Sequence, residues 1–442
     1  MIGWLFFFGS LVGAWFTYNA FRPIYAPAKV AVVSFFAGWL TNELVLHHLV
    51  WQMAMAAVFL GLGALASPAG YFGLAITMAS WVGLAELYRR STLAESAVEK
   101  AMVATLGEGY RANIDPAVGH DKAPTIDWRQ LATPFPIHHP EVKRVRDIVF
   151  RRTAGINLKL DVYHRRDLPR GAPVLLYIHG GGWVIGSKNE QGLPLMTHMA
   201  SRGWVCVNAN YRLAPHGTMP EPVIDLKHAI KWIREHADEY GGDPSFLVVS
   251  GGSAGGHLAA LVALTGNDPE LQPGFENVDT RVSAAIPIYG VYDLADRQGL
   301  WPHRDLDKLM ESYVMKVSRS EAPHAYDKYS PLMRITPEAP PCLVIHGALD
   351  TLVPVGDARA FAEKLRRTSK APVVYAEIPG AQHAFEIFPS LRALSVIHGI
   401  ERFLAYLLSE HKRAAAQRAA APPPSTPPTL TPPAPLGPPA LA

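Results

Sequence analysis

The first 88 residues carry only four charged side chains, Arg22, Lys29, Glu43 and Glu86, in a run otherwise dominated by Trp, Phe, Leu, Val, Ala and Gly. Several apolar runs in succession rarely fit a soluble core, and they point to membrane insertion. Residues 1–21 form an uncharged run of about the length that a helix needs to cross a bilayer. Residues 49–66 and 71–87 are two more such runs, divided by the turn-forming Ser67-Pro68-Ala69-Gly70. Residues 30–46 form a weaker one, interrupted by Asn42 and Glu43. No basic segment precedes the first run, which argues against a cleaved signal peptide. Residues 1–90 are therefore expected to be a transmembrane region of three or four helices. Three spans would gather Arg22, Lys29, Arg89 and Arg90 on one side and place the rest of the chain in the cytoplasm by the positive-inside rule; four would split these charges.

The remaining sequence has a different character. The net charge of the whole chain is +3 with no basic block, so no surface for tracking phosphates is indicated and nucleic acid is not an expected partner. Cys206 and Cys342 each lie inside an apolar run, as inert core thiols do, and give no disulfide framework. Neither C-x-x-C nor H-E-x-x-H spacing occurs, so no metal site is expected. Residues 91–141 read as a connector or a cap helix, with Leu93, Ala97, Ala101 and Ala104 along one helical face. From residue 142 to residue 410, strand and helix signals alternate. Residues 145–151 and 158–163 alternate apolar with polar, as half-exposed antiparallel strands do. Residues 174–178, 204–209, 246–249, 284–288, 342–345 and 373–378 are short apolar runs of the buried-strand type, with helical patterns at 221–236, 253–265 and 355–365. Such alternation predicts an α/β fold with a mostly parallel sheet flanked by helices, whose function sits at the carboxyl ends of the strands. Residues 299–334, rich in charge and aromatics, read as a cap insertion, and the Ala/Pro-rich residues 411–442 read as a disordered tail.

Within this frame, Leu247 to Leu258 reads LVVSGGSAGGHL: the end of a strand, a sharp turn, and the start of a helix. Ser253 stands at the apex between Gly251 and Gly255, the context of a G-x-S-x-G nucleophile elbow. His179-Gly180-Gly181-Gly182-Trp183 follows an earlier strand, and its consecutive glycines let the backbone turn successive N–H groups into one concavity, as an oxyanion hole requires. Gly181, Gly182 and Ala254, the residue after the serine, are the candidate donors. A nucleophilic serine needs a carboxylate and a base after it in the chain. Asp350 follows the strand 342–345, with Asp293 as its competitor after 284–288. His383 lies in the Gly-initiated loop after the last strand and is the candidate base.

The HGGGW loop, Tyr211-Arg212-Leu213-Ala214-Pro215, Gly241-Gly242-Asp243-Pro244, the serine elbow, Ser330-Pro331-Leu332 and the Asp350 and His383 loops together resemble the hormone-sensitive-lipase-like carboxylesterases of the α/β-hydrolase fold, over about residues 142–408. The resemblance implies hydrolysis of small-molecule or lipid esters by a Ser253–His383–Asp350 triad, with no cofactor. The hydrophobic front end is similar to that of a smaller set of membrane-anchored lipases and esterases, which makes the bilayer a partner. Gly252 departs from the Asp that many members carry before the serine, and Gly217-Thr218 departs from the usual continuation after Pro215. Two other functions compete: an amide hydrolase that opens formyl-kynurenine, whose H-G-G-x-W loop is similar, and an inactive scaffold or adhesion module on a hydrolase fold.

Overall fold

The computed structural model describes residues 1–118, 127–153, 155–301 and 305–420. Its N-terminal region is built from α1 (Ile2–Phe21), α2 (Ala28–Glu43), α3 (Val45–Gly61) and α4 (Pro68–Ser91). The outside of this bundle is apolar, and polar side chains sit among the buried ones beside Phe6, Phe35, Leu84 and Leu87. Ser10, Thr17, Ser34, Gln52, Thr77 and Ser80 are buried, whereas Trp4, Phe8, Val33, Val50, Phe72 and Val82 are exposed. Buried hydroxyls join helices: Thr17 and Ser80 share a hydrogen bond of 2.7 Å, and Thr77 donates to Ser10 at 2.9 Å. Small residues bring α1 and α4 close, and a Cβ on Gly73 would lie 3.1 Å from the backbone of Phe7. Small interfacial residues and interhelical hydroxyl bonds are how helices associate in hydrocarbon.

Helix length is less generous than the sequence suggested. Among the described residues, one helix is long and apolar enough to cross a membrane, the continuation Pro68–Leu106. The helices α2 and α3 qualify only as a pair, and they are bent by 92°. The bend falls at Leu44, just after Asn42 and Glu43, which are buried against protein and not aligned along one continuous span.

Beyond α4 come α5 (Leu93–Leu106) and the short α6 (Trp128–Ala132), and then the sheet begins. Its strands are β1 (Val142–Thr153), β2 (Ile156–Arg165), β3 (Ala172–Ile178), β4 (Val205–Ala209), β5 (Gly242–Gly252), β6 (Ala284–Ile288), β7 (Cys342–Gly347) and β8 (Val373–Ile378). They run in the order β1-β2-β4-β3-β5-β6-β7-β8. Only β1–β2 and β2–β4 are antiparallel. The central strands are buried on both faces, and β3 accordingly reads as the unbroken apolar run VLLYI. The interposed helices are α7 (Leu193–Ser201), α8 (Glu221–His236), α9 (Ala254–Leu264), α10 (Asp305–Leu309), α11 (Pro323–Tyr329), α12 (Val355–Thr368) and α13 (Leu391–Ala420). One face packs on α8, α9 and α12, and the other on α5, α7 and α13.

Ala94, Val98 and Met102 of α5 are fully buried in that second layer, and Thr105 donates to the carbonyl of Val373, the first residue of β8. This places the last turn of α5 at the end of the sheet away from the carboxyl-terminal loops. The insertion at 299–334 does approach them: Leu309 lies 3.5 Å from where a Cβ on Gly182 would stand, and Val314 accepts a hydrogen bond from the Met219 amide at 3.0 Å. The expected tail begins later than residue 411. Residues 411–420, HKRAAAQRAA, continue α13, as strong helix formers do; 421–442 lie outside the described residues.

Candidate active site

Ser253 occupies the junction of β5 and α9 with φ 58° and ψ −123°, a conformation that side-chain-bearing residues adopt only under strain. The flanking glycines are sterically required. A Cβ on Gly255 would lie 2.1 Å from the Ile178 carbonyl, and one on Gly251 would lie 2.5 Å from that of Gly255. The Ser253 amide is tied to the Ile288 carbonyl at 3.0 Å, which seats the turn between β3 and β6.

Against the serine lies the glycine loop. A Cβ on Gly180 would meet the Ser253 Cβ at 3.0 Å, and Gly181 and Gly182 take φ of 114° and 59°. The loop is held from behind: Gly180 donates to Gln191 at 2.6 Å, His179 stacks on Tyr211, and Tyr211 donates to the His179 carbonyl at 3.1 Å. Trp183 is buried and donates to Nδ1 of His257, whose Nε2 bonds the Tyr329 carbonyl at 2.8 Å. Burial pushes both His179 and His257 down to about 4, so they are neutral framework groups.

Asp350 and His383 arrive from the loops after β7 and β8, and His383 Nδ1 lies 2.7 Å from Asp350 Oδ2. The carboxylate is fully used. Oδ1 accepts the amides of Leu352 and Val353 at 2.9 and 2.8 Å, and His346 Nε2 adds a contact of 3.2 Å to Oδ2. Burial opposes ionisation of Asp350, yet the facing charges and hydrogen bonds of His383 and His346 hold its carboxyl well below the usual range. Asp293 is engaged elsewhere, by Arg297 and the amides of Ala295 and Arg297. Tyr289 follows Ile288; its ring centre lies 4.5 Å from that of His383, and its hydroxyl lies 2.7 Å from where a Cβ on Gly252, the residue before Ser253, would stand. No hydrogen bond joins the Ser253 and His383 side chains. Two supporting residues escaped the sequence reading. Besides His346, Gln382 receives the amides of Thr351 and His383 at 2.7 and 2.9 Å and so locks the acid loop to the base loop. Its place immediately before the histidine was the only available signal.

A family model described as BD-FAE matches residues 160–365. A probable carboxylic ester hydrolase of Mycobacterium tuberculosis, LipM, is 40% identical over 401 residues, spanning 88% of this chain and 90% of that protein. The chain belongs to the hormone-sensitive-lipase-like carboxylesterases of the α/β-hydrolase fold. Esterase LipQ of the same organism is 43% identical over 272 residues, 61% of this chain and 64% of LipQ. Among solved structures, esterase 2 of Thermogutta terrifontis phosphonylated by sarin is 27% identical with a TM-score of 0.50, covering 65% of this chain and 99% of that one. A truncated carbohydrate esterase from gut microbiota, at 19% identity and a TM-score of 0.52 over 60% of this chain and 96% of its own, shares the fold.

The structure also accounts for Gly252 in this carboxylesterase. A Cβ there would stand 2.7 Å from the Tyr289 hydroxyl and 3.0 Å from Oε1 of Glu386. Glu386 is buried, accepts from the Tyr177 hydroxyl at 3.2 Å, and fills the space that a side chain at 252 would need. Burial raises its pKa despite the hydroxyls around it. Elsewhere in the esterase, His198, His398 and Glu401 converge closely enough to hold an ion. The Glu401 carboxylate already pairs with His198 at 2.7 Å and with Arg202 at 3.2 Å, and a cation beside it would face the Arg202 guanidinium.

Proposed function

We propose that the esterase cleaves its substrates by two-step acyl transfer through Ser253, His383 and Asp350, and that it does so at a membrane. Its hydrolysis of carboxylic esters follows from its family. The observation that carries the mechanism is the 2.7 Å contact between Asp350 and His383 beside the strained Ser253 elbow. His383 Nε2 takes the hydroxyl proton as Ser253 Oγ bonds to the ester carbonyl carbon; Asp350 holds the Nδ1–H tautomer and stabilises the imidazolium. Collapse of the tetrahedral adduct expels the alcohol, which receives the proton from His383. Water then attacks the acyl-enzyme by the same route and releases the acid. The amides of Gly181, Gly182 and Ala254 meet the oxyanion, and loss of one such donor typically costs about 10² to 10³ in rate. Ser253→Ala in purified full-length protein is expected to abolish ester turnover and labelling by a fluorophosphonate probe; retention of either would refute the assignment.

The apolar outside of α1–α4 and the hydroxyl bonds between its helices support embedding in a bilayer, with residues 1–90 as a multi-pass anchor and 142–410 as the catalytic unit. The substrates are then lipophilic acyl esters that reach the site from the membrane. Arg89 and Arg90, at the end of α4, favour a cytoplasmic catalytic unit. Protease digestion of the catalytic unit in intact cells would refute that side.

A further inference from the structure

We propose that α2, a helix of the N-terminal region, is a positioning element of the catalytic centre, with Trp39 and Glu43 holding the chain that carries His383. The inference rests on the assignment of His383 as the base. Five contacts from one helix fall on ten consecutive residues. The Trp39 indole donates to the carbonyl of Ala384, the residue next to His383, at 2.9 Å. The Phe35 ring meets the His383 imidazole edge-on at 6.2 Å. Trp39 stacks on Phe388 with centroids 4.8 Å apart. Glu43 pairs with Arg392, both side chains fully buried, and accepts from Ser390 at 2.6 Å.

These contacts bracket the segment. Ala384 has φ 61°, unusual for a residue with a Cβ, and its carbonyl accepts from the Ile387 amide at 3.2 Å as well as from the Trp39 indole. The indole is the shorter of the two and ties this strained peptide, next to His383, to a helix outside the catalytic unit. At the other end, Arg392 begins α13, and no second carboxylate reaches it among the described residues. Glu43 is thus the counter-charge that fixes where the segment leaves the site. A buried charge left without its partner is strongly unfavourable, so the pair specifies one docking of α2 on the enzyme. The 92° bend after Glu43 lets α2 lie along the catalytic unit while α3 turns away. The part of the chain that reads as an anchor therefore also sets the angle of the base.

The test uses full-length protein in detergent, with Trp39→Phe, Glu43→Gln, Glu43→Asp and, as a control on the exposed face of α2, Val33→Ala. Turnover of a short-chain nitrophenyl ester, phosphonate labelling of the serine and thermal unfolding are measured on each. Trp39→Phe keeps the ring stack and loses only the donor. It is expected to unfold at the wild-type temperature and label to the same final extent, with kcat and labelling rate about tenfold lower and KM nearly unchanged, the pattern of a misaimed catalytic group. Glu43→Asp is expected to recover most of the turnover that Glu43→Gln loses, and Val33→Ala to match wild type. Wild-type kcat in a folded Trp39→Phe enzyme would overturn the inference, as would a kcat loss matched by an equal loss of labelled serine. Failure of the wild-type enzyme to label at all would bring down the triad assignment itself, which tells the two failures apart.

Discussion

Gly252→Asp is predicted to damage this protein, and the structure sets the size of the effect. The new Cβ would stand 2.7 Å from the Tyr289 hydroxyl and 3.0 Å from Glu386 Oε1, so the rings and the carboxyl must shift. Overpacking of this kind costs about 1–3 kcal/mol. A second carboxylate within about 4 Å of Glu386 adds repulsion of a few kcal/mol if both ionise, which would drive one to take up a proton. With about 2–4 °C lost per kcal/mol in a domain of this size, Tm is expected to fall by about 5–10 °C. Tyr289 lies against His383, so kcat is expected to fall with it. Removing the competitor in Gly252→Asp/Glu386→Ala should recover part of the loss, with a coupling energy of about 1 kcal/mol or more between the two sites. Thermal unfolding and turnover of the two single variants and the double variant supply the cycle. Strictly additive effects, or wild-type stability in Gly252→Asp alone, would refute the steric account.

Other outcomes follow from the same site. Asp350→Asn is expected to fold and to lose about 10⁴ in kcat, since an amide supports the wrong imidazole tautomer; steady-state kinetics check it. His179 and His257 are held neutral down to about 4 in the folded chain, whereas their ordinary value is 6.5. Protons therefore favour the unfolded state below pH 6.5, and each histidine costs up to about 3 kcal/mol of stability as the pH falls toward 4. Denaturant midpoints measured across that range should decline, and less steeply in His257→Gln. Gly181→Ala is expected to be inactive and poorly folded, because its Cβ would sit 2.1 Å from the Ile185 carbonyl, whereas Gly182→Ala meets only the Leu309 side chain at 3.5 Å and should fold with reduced kcat. Circular dichroism and ester turnover together separate these cases.

Much of this was legible in the sequence because local chemistry fixed it. The buried parallel strands had to be continuous apolar runs, and Ser253, Asp350 and His383 lie in the turns and loops after such strands, where the sequence pattern puts them. What was hidden depends on distant pairs. Glu43 looked like a flaw in a membrane span, since its partner Arg392 lies 349 positions away. Trp39 gave no sign that its indole would reach Ala384. Gly252 could not be interpreted without Glu386, which comes from another loop and arrives only when the sheet is complete. Residues 411–420 were assigned to the tail because the proline run beyond them outweighed their own helix propensity.

The length of α13 decides where the end of the chain can go. Its 30 residues span about 45 Å. It starts beside the catalytic loops and runs back toward the opposite end of the sheet, where His411 packs on Phe246 at 5.3 Å. Its last ten residues project roughly 15 Å beyond that point, exposed for almost their whole length. Ala420 thus stands at the far pole of the catalytic unit, so a reporter attached at that position leaves the mouth of the active site clear.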